Sequence, residues 1–80
     1  MRVDYEPRFK LLIKKINDSV VSKVKKQIGK IVENPKLGKP MRYTRKGTRE
    51  VYIKPFRLSY LYIENEDRII FLDLYHKKKQ

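Results

Sequence analysis

The fold of this chain is decided by the stretch Phe56-Arg57-Leu58-Ser59-Tyr60-Leu61-Tyr62-Ile63 and the stretch that follows it, Arg68-Ile69-Ile70-Phe71-Leu72-Asp73-Leu74-Tyr75. Both are rich in the β-branched and aromatic side chains that favour strands. The residues between them, Glu64 to Asp67, are polar and suit a turn. The two stretches therefore predict a β-hairpin.

Basic residues accompany both strands of this hairpin. Arg57 lies inside the first strand, and His76 follows the second strand, directly before Lys77-Lys78-Lys79. A strand interior rarely holds a cation unless that face of the sheet meets water or an anion. Arginine, histidine and lysine side chains brought together make a phosphate site. The hairpin therefore predicts contact with RNA.

The chain is short and strongly basic. Its 80 residues carry a formal net charge of +12, and the calculated pI is about 10.1. Positive charge is densest in residues 35–57, which hold eight lysines and arginines and one acid, Glu50. This length suits one domain with a modest core, too small for an enzyme with a deep enclosed cavity. We expect a single domain, residues 1–80, with a polyanionic or acidic partner.

The composition also bounds the chemistry and the compartment. The sequence has no cysteine and one histidine, which leaves no disulfide, no thiolate or histidine metal cluster and no cysteine nucleophile. We therefore expect neither a metal nor a cofactor. No apolar run approaches the roughly 20 residues that span a bilayer, and no signal peptide opens the chain. We expect a cytoplasmic protein that does not contact a membrane.

Two short helices are predicted in the first part of the chain. Pro7 suits a first helical turn, and Asn17-Asp18-Ser19 supplies capping side chains for a second helix, which Pro35 closes at Asn34. Apolar residues recur at helical spacing in both segments: Phe9, Leu12, Ile13 and Ile16, then Val21, Val24, Ile28, Ile31 and Val32. The helices should form an antiparallel hairpin with both stripes facing a sheet, and Val24 and Ile28 should be almost fully buried.

The remaining segments complete the element order. Residues 2–5 predict a short strand, residues 35–48 a loop rich in Pro, Gly and cations, and residues 49–54 an alternating strand. The order of strand, two helices and three strands predicts an α+β fold. The helical hairpin should pack on one face of a small, mainly antiparallel sheet of about four strands. The other face would be left for function.

These motifs resemble the RelE/ParE superfamily of small bacterial and archaeal toxins. The strand motif aromatic-Arg-aliphatic-x-Tyr is present as Phe56 to Tyr60, and the basic end of the last strand as Leu74 to Lys79. The stretch Gly47-Thr48-Arg49-Glu50-Val51 is similar to a Gly-x-Arg-Glu-aliphatic motif of some branches. Two features depart from the ribonuclease members. The chain ends at Gln80 without a longer tail, and Met41 stands where some members have a glutamate after Gly-Lys-Pro.

The resemblance implies a RelE-like function. It implies the toxin of a type II toxin–antitoxin pair, a metal-independent endoribonuclease that cuts mRNA on the ribosome and inhibits translation. The partners implied are the ribosome, mRNA and a RelB-like antitoxin encoded next to it, which forms a hetero-oligomer with the toxin. The implied catalytic residues are Arg57, Lys54, His76 and Arg49; those implied to bind RNA are Arg42, Arg45, Lys46, Lys77, Lys78 and Lys79.

The chemistry supports part of this assignment independently. RNA cleavage without a metal needs a base for the 2′-OH, a cation for the charge growing on phosphorus, and an acid for the leaving 5′-oxygen. Arg57 fits the cation, because a guanidinium binds phosphate in bidentate fashion and stays protonated. His76 titrates near neutrality and is the favoured base or acid, and Lys54 could serve if neighbouring cations lower its pKa. If the side chains of Tyr75 and His76 point to opposite faces of the last strand, only one of them shares a face with Arg57. We expect that residue to be His76.

Each candidate has a structural alternative. Arg57 could pair with Asp73 on the adjacent strand, His76 could be an ordinary exposed residue, and the terminal lysines could be a solvated tail. Arg42, Arg45, Lys46 and Arg49 could form a solubility surface. Tyr60 and Tyr62 fit sheet packing, whereas Tyr43 and Tyr52 are better candidates for stacking on RNA bases.

Three classes of function remain open at this point. The first is the RelE-type ribonuclease, and the second is a ParE-like toxin that poisons DNA gyrase without nuclease chemistry. The third is a non-catalytic RNA- or ribosome-binding module. The third is disfavoured because the chain lacks the Gly-aromatic signature of an RNA-recognition motif and the GXXG loop of a KH domain.

Overall fold

The computed structural model describes residues 1–42 and 47–79. The side chain of Lys79 lies outside the description. The elements in chain order are β1 (Arg2–Tyr5), α1 (Pro7–Lys15), α2 (Asp18–Glu33), β2 (Lys39–Pro40), β3 (Thr48–Ile53), β4 (Phe56–Ile63) and β5 (Arg68–His76), with single 3₁₀ turns at Glu64–Glu66 and Lys77–Lys79.

The strands form one mixed sheet in the order β1-β5-β4-β3-β2. Only the β1–β5 pair is parallel, and the other pairs of described strands are antiparallel. The predicted α+β architecture, with a helical hairpin on a mainly antiparallel sheet, is confirmed. The sheet has five strands rather than about four, because Lys39–Pro40 pairs with Arg49 and Glu50 of β3. A two-residue strand containing proline has no sequence signal, and it exists because β3 offers it an edge.

Local sequence accounts for the ends of both helices. Pro7 occupies the first turn of α1, where its missing N–H costs nothing. The side chain of Asn17 caps α2 by accepting a 2.8 Å hydrogen bond from the backbone N–H of Ser19. The helix ends at Glu33, as predicted from Pro35. Neither described helix is long and apolar enough to cross a membrane.

The core lies between the helices and one face of the sheet. Phe9 of α1 and Val24 and Ile31 of α2 pack with six buried sheet residues: Ile53, Leu58, Tyr60, Ile69, Phe71 and Leu74. Val24 is fully buried, as predicted. Ile28 is half-buried and not almost fully buried, because it lines a groove between the two helices.

Tyr60 fastens the loop after α2 to the core. Its hydroxyl donates a 2.7 Å hydrogen bond to the carbonyl of Pro35 and accepts one of 2.8 Å from the N–H of Gly38. Burial raises the pKa of the Tyr60 phenol, although the Gly38 N–H and the nearby Arg49 oppose this shift. A Cβ at Gly38 would lie 2.7 Å from the Tyr60 ring, so this position requires glycine. The contact fixes the start of β2.

Ion pairs hold the parallel β1–β5 pair at the sheet edge. The carboxylate of Asp4 lies 2.8 Å from Nε of Arg68 and 3.0 Å from Nε of Arg2. The hydrogen bond from Arg68 is the main cause that lowers the pKa of Asp4, with Arg2 adding to it and partial burial opposing it. These contacts join the first strand to the last.

Candidate functional site

The sheet face opposite the helices, here called the open face, is where Arg57 lies. Arg57 on β4 stands directly between Tyr52 on β3 and Tyr75 on β5 in the strand register. One pair further along the strands, Ser59 stands between Glu50 and Asp73. Leu58 and Tyr60 point to the core, so the alternation of β4 turns Arg57 and Ser59 to the open face. The predicted division into a packed face and a polar face is observed.

A buried carboxylate lies beside Arg57. Glu50 is 3% exposed as a residue, and its side chain is 1% exposed. Its Oε1 lies 3.7 Å from Nη1 of Arg57, and its Oε2 accepts a 2.5 Å hydrogen bond from the Tyr75 hydroxyl. A buried carboxylate is retained as an ion only when it is paired and hydrogen-bonded. Glu50 therefore holds Tyr75 through a hydrogen bond and attracts Arg57 through its charge.

This pairing replaces the alternative expected from the sequence. Asp73 does not pair with Arg57; its Oδ1 lies 3.2 Å from Nε of Arg8, at the start of α1. Arg57 is thus part of a structural ion pair, but its partner is Glu50. The Arg57 side chain is still 27% exposed, and its Nε is buried without a hydrogen-bond partner among the described residues. The side chain therefore keeps access to solvent, although its buried Nε does not.

An exposed tyrosine and a lysine complete the group. The guanidinium carbon of Arg57 lies 5.8 Å from the centre of the Tyr52 ring, and Nζ of Lys77 lies 5.3 Å from it. Both distances are in the range of cation–π interactions. We call Glu50, Tyr52, Arg57, Tyr75 and Lys77 the Arg57 cluster. It combines two cations, a buried acid, a phenol donor and an exposed aromatic ring.

A cleft continues the site along the open face. It has a volume of about 400 Å³ and is lined by polar side chains with one apolar residue: Arg8, Thr48, Glu50, Ser59, Leu72, Asp73 and Tyr75. Glu50 and Tyr75 belong to both the cleft and the Arg57 cluster. A group bound at Arg57 would therefore lie next to a pocket that can receive part of the same ligand.

His76 does not join this group. It pairs with Phe56 in the strand register, and its ring packs edge-on against the Phe56 ring with centres 5.7 Å apart. The expectation that His76 shares a face with Arg57 is therefore wrong, and Tyr75 takes that place. The reason is a β-bulge in the last two strands: Ser59 pairs with Asp73 while Tyr60 pairs with Phe71, which leaves Leu72 as an extra residue. The extra residue reverses the alternation of everything that follows it.

Arg49 lies on the face opposite Arg57. It pairs with Tyr60, and its Nη1 donates hydrogen bonds to the carbonyls of Gly38 at 2.8 Å and Lys36 at 3.2 Å. These contacts hold the loop that precedes β2. The structure therefore does not bring Arg49, a predicted catalytic residue, to the Arg57 cluster, because it is one residue from Glu50 along a strand whose side chains alternate.

The remaining predicted site residues lie in turns and loops, or outside the described residues. Lys54 is exposed, but it lies in the turn between β3 and β4 instead of within the strand, where Pro55 ends the pairing. Lys77 and Lys78 are exposed in the turn after β5, and Arg42 is exposed after β2. Arg45, Lys46 and the stacking candidate Tyr43 lie outside the described residues, as does the side chain of Lys79.

Glu50 and Tyr75 are the site residues that sequence reasoning missed. Glu50 carried a signal, since it is the single acid among the nine charged residues of positions 35–57. An acid retained among so many cations suggests a buried pair. Tyr75 carried a weaker signal. Strict alternation from Phe71 would point Asp73 into the core as an unpaired charge. An acid at this position therefore indicates that the alternation is interrupted by a bulge.

Comparison with known proteins identifies the family. The sequence matches the ParE toxins of type II toxin–antitoxin systems, parDE, over residues 3–80. Comparison with curated proteins gave no match. The fold is similar to the toxin–antitoxin complex RelBE2 of Mycobacterium tuberculosis, with a TM-score of 0.84, 20% identity, and coverage of 95% of this chain and 96% of that chain.

Two further solved structures show the same fold. The intact RelBE toxin–antitoxin complex of E. coli matches with a TM-score of 0.81 and 16% identity over 94% of both chains. The YoeB/ParE toxin from Agrobacterium tumefaciens matches with a TM-score of 0.82 and 17% identity over 95% of this chain and 98% of that chain. The family match covers nearly the whole sequence and the fold agrees with it. The chain therefore belongs to the ParE toxin family and is a type II toxin of the RelE/ParE superfamily.

Proposed function

We propose that this toxin is a metal-independent endoribonuclease that cuts mRNA on the ribosome and so inhibits translation in the cytoplasm. The observation that carries the proposal is the Arg57 guanidinium, which is part-exposed on the open face and held by the buried Glu50. A cation fixed before the substrate arrives stabilises charge that develops in a transition state without reorganising. The net charge of +12 adds long-range attraction for RNA.

Three members of the Arg57 cluster have a role in this proposal. The 2′-hydroxyl loses its proton as its oxygen attacks phosphorus, the bond from phosphorus to the 5′-oxygen breaks, and that oxygen takes up a proton. The products are a cyclic phosphate and a free 5′-hydroxyl. Arg57 stabilises the negative charge on the phosphoryl oxygens. Glu50 positions Arg57 and, at 1% side-chain exposure, does not touch the substrate itself. Lys77 is exposed beside Tyr52 and can reach the same phosphate.

A second candidate is a gyrase-poisoning toxin without nuclease chemistry. One observation favours it: the single histidine of the sequence packs against Phe56, away from Arg57. Among residues 1–42 and 47–79, the groups beside Arg57 that could transfer a proton to the substrate are then Tyr75 and Lys77, since the Glu50 side chain is 1% exposed. If the site transfers no proton, Arg57 and Lys77 would act as a binding surface for a protein partner.

The antitoxin expected for such a toxin has a suitable groove on the helical side. The groove between α1 and α2 has a volume of about 420 Å³. Its lining combines aromatic and aliphatic residues with lysines: Tyr5, Phe9, Lys10, Ile13, Lys14, Val21, Val24, Lys25 and Ile28. An amphipathic segment with acidic residues at its margins would match both features. We propose that an acidic antitoxin encoded beside the toxin binds here and forms a hetero-oligomer with it.

The test is primer extension on mRNA bound to purified ribosomes with an empty A site. Arg57→Ala should reduce cleavage by about 10²-fold or more, because a preorganised donor of this kind contributes about 10²–10³ in rate. Arg2→Ala, which removes the same charge at the far edge of the sheet, is the matched control and should cleave like wild type. Circular dichroism should show that both variants are folded.

The possible outcomes separate the two candidates. Unchanged cleavage by Arg57→Ala would show that Arg57 is not a catalytic residue. No cleavage by the wild-type protein, together with inhibition of gyrase supercoiling, would establish the second candidate instead. Failure of an acidic neighbour-encoded protein to bind in calorimetry at low salt would contradict the proposed partner.

A further inference from the structure

Tyr52 is an aromatic residue that the fold does not use in its core. It is 48% exposed on the open face, more than any other described tyrosine. Tyr60 is fully buried, Tyr75 is hydrogen-bonded to Glu50, and Tyr5 stacks with Phe9 and Phe71 on the helical side. An exposed ring on a sheet face contributes little to folding. Its position needs another explanation.

The surroundings of Tyr52 suit one class of ligand. Arg57 and Lys77 place two cations 5.8 Å and 5.3 Å from the ring centre. The neighbouring carboxylate, Glu50, has a side chain that is 1% exposed and is paired with Arg57. A ligand that approaches this face from solvent therefore meets a flat aromatic surface with positive charge on its margin. A flat ring attached to a phosphate has the complementary shape and charge.

We propose that Tyr52 is a stacking platform for one unpaired nucleobase of single-stranded RNA, and that Arg57 and Lys77 hold the phosphate next to that base. The inference rests on the proposed function, since it specifies how the same site binds RNA. Base–aromatic stacking tolerates any base, because every base has a π-face. In a duplex those faces are covered by neighbouring bases, so the platform selects unpaired RNA.

Lys77 is free to make room for the base. It is exposed and has a flexible stem, whereas Arg57 is held by the buried carboxylate of Glu50. The base takes the place of the Lys77 ammonium over the ring, and the ammonium moves to the phosphate. Arg57 stays where it is and orients the phosphate. The platform thus has one fixed cation and one movable cation.

A binding experiment tests the platform without the ribosome. The ligands are a single-stranded hexamer of adenylate with 2′-O-methyl groups, which block cleavage at the 2′-oxygen, and a ribose-phosphate hexamer without bases. Tyr52→Ala should weaken binding of the hexaadenylate by about tenfold to a hundredfold, in line with the stacking contribution of about 1–3 kcal/mol per base. It should leave binding of the base-free hexamer unchanged.

Two further variants sharpen the result. Lys77→Ala should weaken the binding of both ligands. It should also lower the slope of log Kd against log salt concentration by about the contribution of one phosphate contact. Because the sequence contains no tryptophan, Tyr52→Trp introduces a single tryptophan, whose emission can be excited separately from that of the tyrosines. Its emission should be quenched by hexaadenylate and unaffected by a fully paired RNA duplex. Tyr5→Trp, on the helical side, is the matched control and should respond to neither.

Equal affinity of wild type and Tyr52→Ala for hexaadenylate would overturn the platform, as would an unquenched Tyr52→Trp. This failure is distinguishable from failure of the proposed function. If wild type and Tyr52→Ala cut ribosome-bound mRNA with the same KM, the platform is wrong and the nuclease assignment stands. If the wild-type protein binds no RNA and Tyr52→Ala loses gyrase inhibition, the open face contacts a protein and the inference fails.

Discussion

The hydroxyl of Tyr75 donates a 2.5 Å hydrogen bond to the carboxylate of Glu50, across the strand that carries Arg57. Glu50 lies on β3 and Tyr75 on β5, so one contact joins the two neighbours of β4 on the open face. The same carboxylate lies 3.7 Å from the Arg57 guanidinium. The charge of Arg57 is therefore held in place by the strands on both sides of it.

Replacing Tyr75 with phenylalanine should lower the free energy of unfolding by about 1–3 kcal/mol, because the buried Glu50 carboxylate loses a donor that water cannot replace. Urea denaturation followed by circular dichroism measures the change. Tyr62→Phe is the matched control, since the Tyr62 hydroxyl has no hydrogen-bond partner within the described part of the chain. Equal stability of the two variants would show that the Tyr75 contact contributes nothing.

His76→Ala should retain ribosome-dependent mRNA cleavage within about threefold of wild type. A group that transfers a proton in the reaction typically contributes about 10²–10⁴-fold, and His76 packs against Phe56 on the other face. Lys77→Ala, one residue further on, should reduce cleavage more than His76→Ala does. Initial rates from primer extension give the comparison. A larger loss of cleavage rate for His76→Ala, together with a changed pH profile, would show that His76 takes part in the reaction.

Asp4 should make stability depend on pH in the acid range. The Arg68 hydrogen bond lowers the pKa of Asp4 from its ordinary value of 3.8. The folded state therefore favours the carboxylate, and this stabilisation is complete above about pH 4 and is lost as the pH falls through the lowered pKa. Asp4→Asn should be less stable than wild type at pH 6, and the difference should shrink towards pH 2.5.

Urea midpoints measured from pH 2.5 to 6 check the effect of Asp4. Glu33→Gln is the control, because Glu33 is exposed at the end of α2 and has no ion-pair partner among residues 1–42 and 47–79. It should show no comparable pH-dependent difference. A constant difference between wild type and Asp4→Asn over this range would contradict the assigned ion pair.

Ile31 and Ile28, on the same helix, should respond differently to truncation. Ile31→Ala should cost about 2–5 kcal/mol, since it removes a fully buried side chain from the core. Ile28→Ala should cost clearly less, because Ile28 lines the groove between the helices and is only half-buried. The same pair tests the antitoxin groove: Ile28→Ala should weaken antitoxin binding in calorimetry. Equal loss of stability in both variants would contradict the burial pattern of α2.

The elements and their boundaries follow closely from the sequence. Pro7, Asn17 and Pro35 mark the helix ends through backbone effects that act within one turn, so no distant contact is needed to predict them. The strands β1 and β4 agree with the predicted segments residue for residue, and β3 is shifted by one residue at each end. Such features depend on near neighbours in the chain.

The composition of the site was only partly predictable. Arg57 could be found because a cation inside an apolar strand is rare, and its exposure on the open face agrees with that prediction. One alternative from the sequence paired Arg57 with Asp73, but the partner in the structure is Glu50. The strand register does not choose between Glu50 and Asp73, because both stand beside Ser59, one pair along from Arg57. Asp73 pairs instead with Arg8 of α1, a contact between residues far apart in the chain.

What the sequence by itself determined is the order of the two helices and of β1, β3, β4 and β5, most of the packed faces of the helices, and the place of Arg57 inside a strand. Each of these depends on periodicity or on a single residue type. What only the tertiary structure decided is which residues stand next to Arg57. The extra residue Leu72 reverses the alternation of β5, so Tyr75 reaches the open face and His76 does not. The physical reason is that the bulge is a property of the pairing between β4 and β5, and with it both Phe71 and Leu74 face the core.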